Sequence, residues 1–250
     1  MSGRPQQTGA QALAPGVWRI ATTPRDAAFL VEGESGLALV DVGWAGAYRP
    51  LLSAIEQLGR KPADVATIVL THAHPDHVQG VARMRELTGA RVLAHPAEHA
   101  WLRAGRVPAE GRSGTAGRLL DRLPKLHWTP FAPDGALNDG ELIAGAGGLR
   151  AIHTPGHSPG HLAFLHEPTA TVFVGDALFH RGSLALGPAA LAADPAVRAE
   201  SLRALPSSLA AVGFAHGPAL SGAEVDVFRA WLEGLRTAQG GSTAQAGSAA

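Results

Sequence analysis

The stretch THAHPDH, residues 71–77, places three histidines and one aspartate within six consecutive residues, from His72 to His77. A solvent-excluded core gains nothing from titratable groups crowded this tightly. The cluster follows the apolar run VATIVLT at 65–71 and precedes a segment with helical spacing. Loops held by a rigid scaffold are common positions for binding residues, so the stretch indicates a metal site rather than a solvated surface loop.

The spacing inside this stretch divides its residues into two groups. Side chains alternate between faces in an extended segment, so His72 and His74 point the same way and can share one metal ion. Asp76 and His77 come at the start of a helix, with Pro75 in its first turn, and project in another direction. They can serve a second ion about 3.5–4 Å away. One short loop therefore predicts half of a dinuclear site.

The second half of the chain supplies candidates for the remaining ligands. A Gly/Pro-rich segment, 153–161, follows a strand-like run and holds three histidines. The apolar run 171–176 ends in an aspartate, and a further histidine lies in a Gly/Pro loop before the last helix. We expect these residues to converge at one edge of the predicted sheets. The candidates are His157, Asp176 and His216 as ligands, with His153 and His161 as supporting residues.

Composition limits the classes of function. The 250 residues are 46% hydrophobic and 17% charged with zero net charge, which gives no electrostatic case for a nucleic-acid or membrane partner. Cysteine is absent, so any metal must be held by histidines and carboxylates. No signal-peptide pattern or membrane-length apolar run occurs. We expect a cytoplasmic protein with a small-molecule substrate, and a homodimer is left open.

The periodicity predicts one domain of alternating strands and helices. No linker divides the chain, so the domain is expected over residues 1–238, followed by a disordered low-complexity tail at 239–250. The predicted strands are 17–20, 27–32, 37–43, 65–71, 91–95, 149–154, 161–167 and 171–176. The predicted helices are 51–59, 76–87, 118–123, 194–205 and 222–238, and a further helix is predicted to begin at residue 96.

Five stretches, in order along the chain, resemble the motifs of the metallo-β-lactamase superfamily. The resemblance covers essentially the whole predicted domain and implies an α+β fold, a four-layer αββα sandwich with metal ions at one edge of two packed sheets. The stretches are LVDVG (39–43), THAHPDH (71–77), TPGHSPGH (154–161), VGDALF (174–179) and AHGP (215–218).

The resemblance also implies how the candidate ligands are shared between two ions. Asp176 would bridge both ions, and Asp41 would orient the histidine loop without being a ligand itself. The first ion would be held by His72, His74 and His157, and the second by Asp76, His77 and His216.

The same resemblance implies a hydrolase of the glyoxalase II or lactonase-like branch. Asp176 and the lack of cysteine disfavour a β-lactam hydrolase. The expected reaction is cleavage of an ester, thioester or lactone by a metal-bridging hydroxide, with Asp76 as a catalytic proton shuttle. The ligand set suits two Zn²⁺ ions and tolerates Fe or Mn. Glyoxalase II carries a helical C-terminal domain that the residues after His216 do not match, which disfavours a glutathione thioester.

Three other functions remain as alternatives. A mononuclear iron oxygenase of the persulfide dioxygenase kind would use only His72, His157 and Asp176. A nuclease would need a basic surface, which the neutral composition does not provide, and a non-catalytic binding module would not need the complete ligand set.

The Arg-rich segment 103–125 lies where the superfamily often places the rim of the substrate site. It either favours an anionic substrate or is a solvated connection. The candidate residues of the substrate site are Arg112, Arg118, Phe179 and His180.

Overall fold

The structure, a computed structural model, describes residues 9–237. The predicted tail at 239–250 and the first eight residues of the predicted domain lie outside these residues. Among the described helices, none is both long and apolar enough to cross a membrane.

The first sheet is formed by the N-terminal part of the chain. Its strands are β1 (Ala10–Ala14), β2 (Val17–Ala21), β3 (Ala27–Gly33), β4 (Gly36–Val40), β5 (Val65–Val69), β6 (Arg91–Ala94) and β7 (Gly135–Ala136). They lie side by side in chain order. The pairs from β1 to β4 are antiparallel, and those from β4 to β7 are parallel.

The second sheet is formed by the C-terminal part of the chain. Its strands are β8 (Leu149–His153), β9 (Leu162–His166), β10 (Thr171–Phe173), β13 (Ala211–Gly213) and β14 (Leu220–Ser221), with β11 (Phe179–His180) and β12 (Leu184–Ala185) forming a separate hairpin. The order across the sheet is β14, β13, β10, β9, β8, and only the β10–β13 pair is parallel.

Helices cover the outer faces of both sheets. They are α1 (Tyr48–Gln57), α2 (Pro75–Val78), α3 (Val81–Thr88), α4 (His99–Ala104), α5 (Thr115–Leu120), α6 (Arg198–Ser201) and α7 (Val225–Thr237). Leu51 of α1 and Met84 of α3 pack on the first sheet, whereas Phe228 of α7 packs on the second.

The two sheets pack face to face, which completes the four layers. Along β3, Leu30 faces the helices of the first layer, whereas Phe29 and Val31 face the second sheet. The rings of Phe29 and Phe173 meet between the sheets with centroids 4.7 Å apart. Because β3 is buried on both faces, its sequence is almost continuously apolar. The predicted αββα sandwich is confirmed.

The strand ends determine where the site lies. β4 and β5 are parallel, with Val40 opposite Val69, so the segments that follow both strands leave the sheet at the same edge. β10 and β13 are parallel in the second sheet and likewise end together. Open sheets with parallel strands bind ligands at the carboxyl ends of those strands.

The structure differs from the predicted helix at 76–87, which is divided into α2 and α3. The break falls at Gly80, whose N–H donates to the carbonyl of Gly43. A Cβ at Gly80 would lie 2.7 Å from Cγ1 of Val42, so the close approach of the loop after β4 requires glycine here. This contact joins distant segments, and local periodicity does not indicate it.

Candidate metal centre

Seven of the candidate residues lie in two adjacent groups at this edge of the sheets. The histidine group contains His72, His74 and His157. The carboxylate group contains Asp76, His77, Asp176 and His216. Within each group, the atoms that could bind an ion lie within 4.8 Å of one another.

The histidine group presents its nitrogens to a common point. The Thr71 hydroxyl donates to Asp41, so it accepts from Nδ1 of His72, which lies 3.0 Å away. Nε2 of His72 therefore keeps its lone pair, and this atom is buried without a hydrogen-bond partner among the described residues. Nδ1 of His74 lies 2.7 Å from Nε2 of His157, which brings both rings to the same point.

In the carboxylate group, the histidines also have a fixed tautomer. Nδ1 of His77 donates to Asp41 at 2.8 Å, and Nδ1 of His216 donates to Asp26 at 2.8 Å. Both Nε2 lone pairs are therefore available. Nε2 of His216 lies 3.3 Å from a carboxylate oxygen of Asp76.

Asp176 lies between the two groups. Its Oδ1 is 3.0 Å from Nε2 of His77 and 3.1 Å from Nε2 of His216, whereas its Oδ2 is 3.4 Å from Nε2 of His157. One oxygen of this carboxylate thus faces each group, an arrangement in which one carboxylate could serve two ions. The preceding Gly175 has φ +51, and a Cβ there would lie 2.7 Å from Nε2 of His161.

The donor set fits divalent metal ions. With Nε2 of His77 unprotonated, that nitrogen and Oδ1 of Asp176 face each other at 3.0 Å without a hydrogen bond, and Nε2 of His72 is likewise buried and unpaired within the described residues. Leaving a buried polar atom unpaired costs about 1–3 kcal/mol, so several in one place indicate a missing charged partner. Nitrogen and carboxylate donors without sulfur suit Zn, Fe or Mn. As individual metal ligands, the seven residues stay predictions.

Burial keeps the histidine group neutral. It lowers the pKa of His72 and His74 well below the ordinary histidine value, and it lowers the pKa of His157 to about 4. Neutral imidazoles are the form that binds metal ions.

Carboxylates reverse this effect in the other group. Burial lowers the pKa of His216, but the charge of Asp176 and hydrogen bonds to carboxylates raise it more, to about 12. The pKa of His77 is raised well above its ordinary value in the same way, by Asp176 and Asp41. Without an ion, this half of the site therefore favours a proton on Nε2 of both histidines, and a bound cation would take the place of those protons.

Asp41 is hydrogen-bonded to the histidine loop, residues 71–77. The resemblance implies this role. The two oxygens of Asp41 accept from the Thr71 amide at 2.8 Å, the Thr71 hydroxyl at 2.6 Å and His77. Its φ is +59, a left-handed conformation that aspartate tolerates better than most residues. The strained backbone turns the chain sharply after β4 and aims the carboxylate at the loop.

Asp26 has the corresponding role for His216, and the sequence analysis missed it. It accepts from His216, from the Trp44 indole at 3.0 Å and from the Thr23 hydroxyl at 2.7 Å. Burial raises the pKa of Asp26, but these bonds lower it to about 2. Asp26 directly precedes β3, and nothing in its local sequence points to a histidine 190 positions away.

Glu98 is a second residue that the sequence analysis missed. Its buried carboxylate accepts from the Ala73 amide at 2.8 Å, the Ser158 hydroxyl at 2.7 Å and the Gly160 amide at 2.7 Å. Burial raises the pKa of Glu98, and the three hydrogen bonds oppose the rise. Ala73 lies between His72 and His74, so Glu98 joins the two loops that carry the histidine group.

The two supporting histidines of the 153–161 segment lie in different places. Nε2 of His161 accepts the Asp176 amide at 3.0 Å, and its Nδ1 pairs with the Thr154 hydroxyl. His161 therefore fixes the backbone that carries Asp176. His153 instead stacks on His95, with ring centroids 4.4 Å apart, and bonds the carbonyl of Pro159.

The predicted residues of the substrate site are also separated. Phe179 stacks on His216 with centroids 4.9 Å apart, and Arg112 places Nη1 3.5 Å from Nδ1 of His74. Arg118 is exposed and bonds the carbonyl of Arg112. His180 bonds the carbonyl of Pro218, and its side chain joins neither group.

Comparison with known proteins identifies the family. The model of the metallo-beta-lactamase superfamily matches residues 26–223. The chain therefore belongs to this superfamily. The match includes both groups of the candidate metal centre, and the family together with the clusters implies divalent metal ions.

Two of the relatives each match a little over 60% of the chain. The uncharacterized protein YobT of Bacillus subtilis is 34% identical over 159 residues, covering 63% of this chain and 64% of YobT. A hydroxyacylglutathione hydrolase of Cereibacter sphaeroides is 35% identical over 158 residues, covering 62% of this chain and 49% of that protein. The aligned region thus spans between about half and two thirds of the length of these relatives.

Solved structures share the fold over most of the chain. A metallo-beta-lactamase family protein from Thermus thermophilus is 28% identical with a TM-score of 0.66, covering 92% of this chain and 82% of that one. A metallo-beta-lactamase from Cronobacter sakazakii has a TM-score of 0.69 at 24% identity, covering 94% of each chain, and at that identity it shows the fold alone.

Proposed function

We propose that this protein is a metal-dependent hydrolase that cleaves an ester, thioester or lactone bond of a small molecule. The observation that carries the proposal is the Asp176 carboxylate, which faces His157 with one oxygen and His77 and His216 with the other. A binding module with a single ion does not need this arrangement. The proposed ligands are His72, His74 and His157 for one ion, Asp76, His77 and His216 for the other, and Asp176 for both.

Two divalent ions, with zinc as our first choice, would lower the pKa of a bound water towards ~7 and polarise the substrate carbonyl. In the hydrolysis, a water oxygen forms a bond to the carbonyl carbon and the C–O or C–S bond breaks. The leaving alcohol or thiol takes up the proton.

The residues of the chain divide the remaining tasks. Asp76 is the proposed proton shuttle, because its side chain is 24% exposed whereas the side chains of His77 and Asp176 are almost fully buried. Phe179 stacks on His216 and would provide an apolar wall beside the ions. Asp41 and Asp26 hold the second nitrogens of His77 and His216, which keeps their Nε2 lone pairs directed inward.

A thioester is the first substrate class to test. The matching relatives named hydroxyacylglutathione hydrolase support it, although the alignment covers only half of such a relative. β-Lactams are included in the test as the alternative that Asp176 and the lack of cysteine disfavour. The cytoplasmic location and the homodimer stay predictions.

The test combines metal quantification with a panel of thioesters, esters, lactones and β-lactams. We expect two divalent ions per chain and hydrolysis of at least one of the first three classes. Asp176→Ala should lose metal, and its activity should fall more than about 100-fold, since loss of an outer partner alone costs 10–100-fold. One iron per chain with oxygen uptake would instead establish the mononuclear oxygenase.

A further inference from the structure

Arg112 is the only buried arginine of the Arg-rich segment 103–125, all of which the structure describes. Its side chain is rigidly held. The residue is 7% exposed. Nε and Nη2 pair with the two oxygens of Asp121 at 2.7 and 3.2 Å, and Nη1 donates to the carbonyl of Leu191. This two-pronged pairing fixes the plane of the guanidinium, so its position is set before any ligand arrives.

The fixed guanidinium lies against the histidine group. Its Nη1 is 3.5 Å from Nδ1 of His74, the same nitrogen that lies 2.7 Å from Nε2 of His157. Leu191, which anchors Nη1, belongs to a segment that contacts this group, since Ala193 donates its amide to the carbonyl of His157. Two loops therefore meet at the histidine group and bring one positive charge there.

One N–H of Nη1 would lack an acceptor when the histidine group holds a cation. A His74 nitrogen that binds an ion has no lone pair for Arg112, so the N–H of Nη1 directed at it needs another acceptor. Asp121 is already engaged with Nε and Nη2, and Leu191 accepts one bond from Nη1. A guanidinium beside a divalent ion is also a like-charge contact, which an anionic oxygen between them relieves.

We propose that Arg112 binds a carboxylate of the substrate beside the histidine group, and that preferred substrates carry this carboxylate close to the bond that is cleaved. The proposal rests on the hydrolase function above and narrows its substrate class. Asp121 is the positioning residue that holds Arg112 for this contact. The two-pronged pair with Asp121 needs a planar guanidinium, which explains arginine rather than lysine at this place.

The first experiment measures binding without catalysis. The protein is loaded with Co²⁺, and acetate is titrated while the visible absorption of the cobalt is recorded, with acetamide as the neutral probe. We expect acetate to bind, and Arg112→Gln to weaken it about 10–100-fold, the range of a hydrogen bond to a charged group. Arg103→Gln removes an exposed charge of the same segment and should leave the acetate affinity unchanged.

The second experiment measures kcat and KM on a matched pair of thioesters, one with a carboxylate near the carbonyl and one with a carboxamide there. Arg112→Gln should raise KM for the carboxylate thioester about 10-fold or more. KM for the carboxamide thioester should stay unchanged. Circular dichroism and cobalt content identify a variant that has lost its fold or its ions. Asp121→Asn should also raise KM for the carboxylate thioester relative to the carboxamide thioester, but by less than Arg112→Gln does.

Two results would overturn the proposal. One is wild-type acetate affinity in a folded, cobalt-loaded Arg112→Gln protein. The other is an equal loss on both thioesters, which would make Arg112 a structural clamp or a stabiliser of the transition state. If no panel substrate is hydrolysed, the hydrolase function fails, while the acetate titration still decides whether Arg112 binds a carboxylate.

Discussion

The two groups of the metal centre are adjacent but differ in charge. The histidine group contributes three neutral imidazoles, and the guanidinium of Arg112 lies 3.5 Å from Nδ1 of His74. The carboxylate group contributes Asp76 and Asp176, and each of its histidines is backed by a further carboxylate, Asp41 or Asp26.

If two ions bind as proposed, this difference predicts unequal tasks for them. Neutral ligands leave most of an ion's charge available to polarise a substrate carbonyl, whereas carboxylate ligands neutralise it and hold the ion more strongly. We therefore expect the histidine group to receive the substrate and the carboxylate group to be the tighter ion site. The raised pKa of His216, about 12, reflects the same preference of that group for positive charge.

The largest effect is expected from removing one ligand of each group. His72→Ala and His77→Ala should each lower the metal content from two ions per chain to about one, and activity should fall more than about 100-fold. Metal analysis after graded chelator treatment is the measurement. We expect the ion that remains in His72→Ala to resist chelator better than the one that remains in His77→Ala.

His153→Ala is the matched control, because His153 stacks on His95 and contacts neither group. Its metal content should equal that of the unaltered protein. An unchanged metal content in His77→Ala would contradict this prediction, since His77 would then hold no ion. One ion per chain in both the unaltered protein and His77→Ala is the result that the mononuclear alternative predicts.

A smaller effect is expected from Asp26→Asn. Trp44 and Thr23 both donate to one oxygen of Asp26, and His216 donates to the other, so an amide group in either position meets a donor. The ion of the carboxylate group should bind about 10–100-fold more weakly, with the ion of the histidine group unchanged. Competition with a coloured chelator resolves the two affinities.

Asp226→Asn, an exposed change on α7, provides the control and should leave both affinities unchanged. Equal weakening of both ions in Asp26→Asn would show that the two groups do not act separately.

The parts of the molecule that sequence predicted and missed differ in the range of the contacts involved. β3 and β4 follow from apolar runs, and the division of 71–77 into two directions follows from local backbone geometry. Asp26 and Glu98 were missed because their partners in the site are distant in the sequence: His216 is 190 positions from Asp26, and Ser158 is 60 positions from Glu98. The same holds for the break at Gly80, which only the loop after β4 explains.

The smallest effect is expected from Glu98→Gln, which tests whether the histidine group depends on its own support. A glutamine keeps one acceptor oxygen and places an amide group against a donor, so at least one of the three bonds from Ala73, Ser158 and Gly160 is lost. At about 1–3 kcal/mol for an unpaired buried donor, the Tm should fall by roughly 2–12 °C.

Glu86→Gln is the control for Glu98→Gln, because Glu86 pairs with Arg83 at the surface, where such pairs contribute about 0–1 kcal/mol. Thermal unfolding of the metal-loaded proteins gives Tm, and chelator competition shows which ion responds. Glu98 bonds the amide of Ala73, between His72 and His74, and the segment that carries His157. The ion of the histidine group should therefore be released faster in Glu98→Gln than in the unaltered protein. An unchanged Tm, or faster release of the other ion, would mean that Glu98 does not hold those two loops together. The histidine group would then depend on the same Asp41 and His161 contacts as the carboxylate group.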